Sequence, residues 1–462
     1  MRPFRLAIRS SLTLAMAFAG VNIMRAAPSD QDLQALREQV QALAQQLKVI
    51  SRQLEIKEEA AAAAAPTAPK ITISDKGFTL ASADAANSLK IRGLAQLDSR
   101  LFINDGGGVV NNAFVLRRAR IITEGTFAKI YSFQFVPEFG GSSVSIVDAN
   151  FSVAVDKSLA LKFGKFKSPV GLEVLQSDSW TFFNERSIVT NLVPNRDLGA
   201  QASGDVFNGT LNYTVGVFGG VGDGASTTNT DFDNEKDGVG RLFYSPFKND
   251  ADSPVQGLSF GISASAGREK TTAGRTAGYK TDGQQIFFAF NAATIADGQT
   301  WRISPQADFR SGSFGAIGEY VVSAVGVRPS AAGAKTELRN KAWQVAAGYV
   351  LTGEDSSFTG VVPKTNFDFA AGTWGAFEVT ARYADLKVDD AAFPLFASAA
   401  SNAKEASSVG VGLNWYLSKA VAFKFDYYHT NFGFNSAAPA VPTAQILRQD
   451  EQVFISRFQV SF

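Results

Sequence analysis

The sequence predicts an all-β protein, a transmembrane antiparallel β-barrel of about 16 strands preceded by a coiled-coil helix. Three observations carry that prediction. From about Leu89 to Phe462, apolar and polar residues alternate with period two in runs near ten residues. The connections between runs switch between short turns and long loops, and the chain opens with the pattern of an exported protein. A water-soluble sandwich shares the alternation, but not its combination with export, strand length and an aromatic-rich apolar phase.

Residues 1–26 read as a secretory signal peptide. Arg2, Arg5 and Arg9 precede an apolar stretch from Leu12 to Val21, and small residues follow at Ala26 and Ala27. The stretch is roughly half of the ~20 residues that a spanning helix needs, so it reads as a cleavable leader. Nothing after it is long and apolar enough for a transmembrane helix.

Residues 29–59 read as a periplasmic coiled coil. Leu33, Leu36, Val40, Leu43, Leu47, Ile50 and Leu54 recur at alternating spacings of three and four, the a/d stripe of a heptad repeat. Such a stripe is narrower than the face of a globular helix, so it calls for a partner helix. Residues 60–87, with an alanine run and Pro66 and Pro69, read as a linker.

The barrel then occupies 88–462. Phe133 and Phe135 alternate with Gln134, and Phe423, Phe425 and Tyr427 alternate with Lys424 and Asp426. Short turns fall at 127–130, 156–159, 207–209, 311–314 and 417–420. Long loops fall at 102–112, 168–198, 219–238, 267–299, 327–339, 387–406 and 432–449. The run 284–291 is read as a loop element, because counting it as wall would make the strand number odd. The connection 353–373 is too long for an ordinary periplasmic turn.

Charge placement bears on what such a barrel does. The chain has 462 residues, 44 basic and 43 acidic, and no cysteine. A balance this close to neutral gives no footprint for nucleic acid, and the missing thiols exclude disulfides and cysteine chemistry. Yet "FVLRRARIITEGTF" puts three arginines in one strand. A charge facing lipid at the midplane costs roughly 2–4 kcal/mol, so Arg118 and Arg120 are expected to face a watery lumen, with Arg117 at the strand's outer end. The same phase puts Lys90, Arg92, Arg100, Arg241, Arg302, Arg310, Arg382, Lys424 and Arg457 inside. Asp98, Glu124, Glu138, Asp148, Asp308, Glu319, Glu378 and Asp426 join them, giving a lining of mixed sign.

The stretches "FVLRRARIITEG", "VDANFSV", "LKFGKFKSPVGLEVLQSDSWTFFNERS", "ISPQADF" and "GAFEVTARYADL" resemble, in this order, the phosphate-selective porin O and P family. The resemblance implies a homotrimer of barrels in the bacterial outer membrane, each narrowed by an infolded third loop, here 168–198. It carries Lys167, Glu173, Ser177, Asp178, Glu185 and Arg186 to the pore as constriction residues. Phosphate-binding members place a Lys directly after the Leu-Glu pair, where this chain has Val174. A tight phosphate site is therefore not carried over.

Other chemistry finds little support. The only histidine, His429, shares the lipid-facing phase of Phe425 and Tyr427, which leaves no His-based nucleophile system and no enzyme reading. The acidic run Asp231, Asp233, Glu235 and Asp237 lacks the spacing of a calcium loop, and "GGVGDG" precedes no helix pattern. No cofactor is expected. The terminal "SRFQVSF", ending in Phe462, resembles the signal that barrels present to their assembly machinery. The expected function is passive diffusion of small inorganic or organic anions. A general porin without charge preference and a structural, tethering barrel are the alternatives.

Overall fold

The computed structural model describes residues 30–64, 68–103, 110–271, 278–435 and 450–462. The expected signal peptide lies outside the described residues, as do parts of three long loops. The chain divides into two compact units after Thr67.

The first unit holds helix α1 (Asp30–Ala64), which runs on through the alanine stretch. Val40, Leu43, Leu47, Ile50 and Leu54 on it are each more than half exposed. The expected linker at 60–87 is structured in part. Strands β1 (Lys70–Ser74) and β2 (Gly77–Ala81) form a hairpin whose second strand pairs with the start of the barrel, Phe78 opposite Ile91.

The wall begins with β3 (Ser88–Ile103), β4 (Ala113–Phe127), β5 (Tyr131–Glu138), β6 (Ser145–Asp156) and β7 (Leu159–Lys167). It continues through β8 (Arg196–Val206), β9 (Leu211–Phe218), β10 (Asp237–Tyr244) and β11 (Leu258–Lys270). Two short strands in the following loop, β12 (Tyr279–Lys280) and β13 (Ile286–Phe288), pair only with each other, so the run 284–291 is indeed a loop element. The wall resumes with β14 (Ile295–Ser311), β15 (Phe314–Arg328), β16 (Thr336–Val350), β17 (Ala376–Lys387), β18 (Glu405–Tyr416), β19 (Val421–Gly433) and β20 (Asp450–Ser461). Each strand pairs antiparallel with its neighbours, and β20 pairs with β3, Arg457 opposite Asp98, which closes a 16-stranded barrel. Closure leaves no wall edge unpaired, as a strand in hydrocarbon requires.

Alternation decides which face each side chain meets. On β19, Ala422, Lys424, Asp426, Tyr428 and Thr430 are buried inward. Phe423, Phe425 and Tyr427 face outward, where Phe423 meets Phe458 at 5.0 Å and Trp415 at 5.9 Å. Phe135, Phe151, Phe163, Val215, Val217, Leu242 and Phe260 extend this exposed apolar exterior around the wall. Burying it in lipid satisfies the hydrophobic effect without a second protein layer.

One expectation about phase is corrected. A β-bulge between β3 and β4 makes Gln96 face Arg118 and Leu97 face Leu116, leaving Arg117 as the extra residue. A bulge advances the strand by one residue and so reverses inside and outside across it. Leu116 and Phe114 therefore point outward, while Arg117 turns into the lumen with Arg118.

The long connection between β16 and β17 acquires an explanation. It folds inward instead of bridging the strand ends. Val361 packs with Val350, Ala376, Tyr416 and Ala422, and the Phe358 carbonyl accepts a hydrogen bond of 2.9 Å from Gln176 Nε2 in the loop after β7. Gly360, at φ +96°, lies so close to the Trp180 indole that any Cβ there would collide with it.

Candidate functional site: the lumen constriction

The loop between β7 and β8 enters the barrel because its apolar residues fit one half of the wall. Val170, Val174, Ile188, Val189, Leu192 and Val193 are buried against Val321 of β15, Ala342 of β16 and Ala384 of β17. Leu172, Phe182 and Phe183 pack with Ile317, Ala346, Tyr428 and Ile455. Polar pins complete the attachment. Glu319 accepts the backbone N–H groups of Leu172 and Glu173 at 3.1 and 3.2 Å, and Asp426 accepts that of Asn184 at 2.5 Å. Lys424 Nζ donates to the Thr181 carbonyl at 2.5 Å.

Because β15–β20 hold the loop, the open passage runs along β3–β10. Its two larger cavities share residues. The one toward the short-turn end, about 640 Å³, is lined by Lys90 and Arg92 of β3, Arg120 of β4, Lys162 and Lys167 of β7, Arg196 of β8 and Arg241 of β10, with Lys76 and Lys419 at its rim. Its acids are Asp75, Asp148 and Asp178. The cavity toward the long-loop end, about 520 Å³, is lined by Arg117, Arg118, Arg120, Arg186, Arg196 and Lys280 against Asp178, Glu185 and Asp223. Arg120, Asp178 and Arg196 line both and mark the junction.

At that junction several arginines converge on one carboxylate. Asp178 pairs with Arg120 and Arg186, with Arg118 at 3.4 Å and with Arg196 at 3.9 Å. Burial alone would raise the Asp178 carboxyl. The positive field of Arg118, Arg186 and Arg120 overrides it and holds the group well below its ordinary range. Glu185 is similar: burial opposes ionisation, but Arg117, bidentate at 2.6 and 2.9 Å, and Arg457 keep its carboxyl low.

The other residues expected in the pore divide into two groups. Arg92 lines the passage while bidentate to Glu124 at 3.0 and 2.8 Å. Lys167 donates to the Gln176 carbonyl at 2.6 Å, and Ser177 lines the same cavity. Arg186, inside the loop, also donates to the carbonyls of Glu173 and Gln176.

Glu173, Arg302 and Arg382, by contrast, are covered and at most 3% exposed. Glu173 accepts the Ser187 N–H at 2.8 Å. Arg382 pairs with Asp282 at 2.5 Å beneath Phe183, and Arg302 pairs with Asp223 at 2.7 Å. Arg310 stacks on Phe182 and pairs with Asp308 at 3.0 Å, and Arg100 meets Glu185 at 3.2 Å. The four arginines face inward as their strand phase requires, but infolded loops lie over them, and Glu173 belongs to such a loop, so these residues fasten loops and do not line the passage.

Sequence reasoning missed Arg196, the first residue of β8, and Lys162. Arg196 sits at the loop's exit, and its inward phase was readable by counting two residues at a time through "RDLGAQASG". Arg117 was expected only at the strand's outer end, whereas the structure turns it into the lumen against Glu185.

Comparison with known proteins agrees with this architecture. The family model described as "Phosphate-selective porin O and P" matches residues 89–462. Porin O of Pseudomonas aeruginosa is 24% identical over 388 residues, covering 76% of this chain and 84% of that protein. Among solved structures, OmpT of Vibrio cholerae superposes with a TM-score of 0.51 at 10% identity, over 82% of this chain and 98% of that one. The channel DcaP of Acinetobacter baumannii gives 0.50 at 12% identity, over 82% and 98%. An anion-selective porin from Comamonas acidovorans gives 0.50 at 13% identity, over 81% and 100%. A closed barrel with an apolar exterior, a charged lumen and a family match across its whole wall leads to one conclusion: the chain belongs to the phosphate-selective porin O and P family and is a porin channel of the bacterial outer membrane.

Proposed function

We propose that the channel passes small inorganic and organic anions by passive diffusion, with a modest preference over cations and no tight phosphate site. The carrying observation is the imbalance along the passage: nine basic side chains against three acidic ones line the first cavity, and six against three the second. Guanidinium groups replace part of an anion's hydration shell, and a series of such groups lets the ion leave again. Weak phosphate binding is supported by Val174, which is buried in the loop's apolar contact and offers the passage no charge. The names of two relatives, a Porin O in a phosphate-selective family and an anion-selective porin, agree with anion transport.

The assembly in this reading is a homotrimer, the form named for one OmpT structure, with α1 in the periplasm as an association helix. The test is the zero-current potential of the purified protein in planar bilayers under a potassium chloride gradient. Anion preference is expected, and cation preference would overturn the reading.

A further inference from the structure

Resting on that reading, we propose that Asp178 is a resident counter-anion: its carboxylate stands where a permeating oxyanion would be bound, and its presence keeps the constriction from holding solute tightly. Position is the first argument, since Asp178 lines both cavities at their junction. Stoichiometry is the second. One carboxylate oxygen faces Arg118 and Arg186, and the other faces Arg120 and Arg196. Planar guanidinium forks around paired oxygens are the arrangement that recognises carboxylate and phosphate alike.

The third argument is that the forks do not depend on Asp178 for their placement. Arg118 donates to Gln96 Oε1 at 2.7 Å, Arg120 to Glu138 at 2.6 Å and Arg186 to the Gln176 carbonyl at 2.6 Å, while Arg196 reaches Asp148 at 3.3 Å. The loop backbone is also held independently. Gln96 Nε2 donates to the Asp178 carbonyl at 3.0 Å, and Gln459 Nε2 to that of Ser179 at 3.1 Å. Removing the carboxylate therefore exposes a prearranged set of donors. In the native chain a tethered group competes for those donors at high effective concentration, which favours throughput over affinity.

The experiment measures chloride conductance through the full-length protein in bilayers while inorganic phosphate is added. Asp178→Ser is expected to lower the half-blocking phosphate concentration about tenfold or more, because each charge-assisted hydrogen bond gained is worth at least that factor. Asp178→Asn, which keeps the side chain's shape, should move it in the same direction. Unchanged or weaker block in both variants overturns the proposal. So does failure of both to form heat-modifiable barrels, which would make Asp178 a structural ion. The native zero-current potential separates the two readings. Cation preference there defeats anion transport itself, whereas native anion preference with unchanged block in the variants defeats only the role of Asp178.

Discussion

Arg117 and Arg118 are consecutive in one strand, yet both side chains enter the lumen, the first to Glu185 and the second to Gln96 and Asp178. The bulge opposite Gln96 and Leu97 makes this possible. It supplies the passage with one more cation than strict alternation allows, and it ties the constriction loop to the wall opposite its apolar anchor.

Replacing Arg117 by Ala should loosen that tie. The buried Glu185 keeps Arg100 and Arg457 but loses its bidentate partner, a loss of about 1–3 kcal/mol for a charged hydrogen-bonded group. A lower unfolding midpoint with noisier single-channel current is expected. An unchanged midpoint and a quiet channel would mean that the apolar anchor alone fixes the loop.

Converting Arg118 and Arg120 together to Ala should shift permeability toward cations without closing the channel. Asp178 then keeps its charge with fewer partners. The anion-to-cation ratio should fall roughly two- to fivefold, most clearly in low salt, where screening is least. An unaltered zero-current potential in the double variant would remove these two residues from the selectivity mechanism.

The pH dependence follows from the loop carboxylates. Asp178 and Glu185 are both held below their ordinary range, so their stabilising ion pairs are fully present above the unfolded value of about 4. They are lost only as pH falls through the still lower folded values. Selectivity should therefore stay flat from about pH 8 to about pH 5. A transition near pH 6 that disappears in Asp178→Asn would contradict this assignment.

Thiol accessibility tests the wall and the loop together. Cysteine at Gln134, which lines the cavity toward the short-turn end, should react with a water-soluble reagent in intact membranes, and cysteine at Phe135 should not. Cysteine at Lys424 shares the inward phase but lies under Thr181, so it should be protected. Rapid labelling at 424 would mean that the loop lifts from its anchor.

A peptide spanning Asp30–Ala64 is expected to self-associate, because its apolar stripe stays exposed on a single helix. Sedimentation should give a trimer, although a leucine-rich a/d stripe fixes the strand number weakly. A peptide that stays monomeric at high concentration would reassign the helix to another role.

The barrel was legible in the sequence because alternation acts locally: Phe133 and Gln134 declare their faces by adjacency alone. Strand number and the loop status of 284–291 followed from the same counting. The bulge at Arg117 left one trace in the sequence, the switch of the apolar phase from Phe114 and Leu116 to Ala119 and Ile121, which strict alternation by two does not follow. Nor could phase distinguish Arg120, which is open to the passage, from Arg302 and Arg382, which lie under loops. Those positions depend on contacts far apart in the chain, such as Arg382 with Asp282 and Phe183. The inward fold of 353–373 was visible only as an anomalous length.

The division of the lumen into an anchoring half and an open half also bears on how such a channel changes over generations. Residues beneath the loop on β15–β20 are interlocked, so a substitution there disturbs packing on both sides. Those facing the passage on β3–β10 make fewer and more local contacts: Lys90 pairs with Glu124, Lys162 lies over the Phe166 ring, and Arg241 rests on Phe243 and donates to Gln306. Mutations at these positions are expected to alter which solutes pass while leaving the molecule able to fold. Solute preference can therefore drift quickly between descendants that share one unchanging scaffold, and a bacterium meeting a new nutrient need only revise the exposed wall.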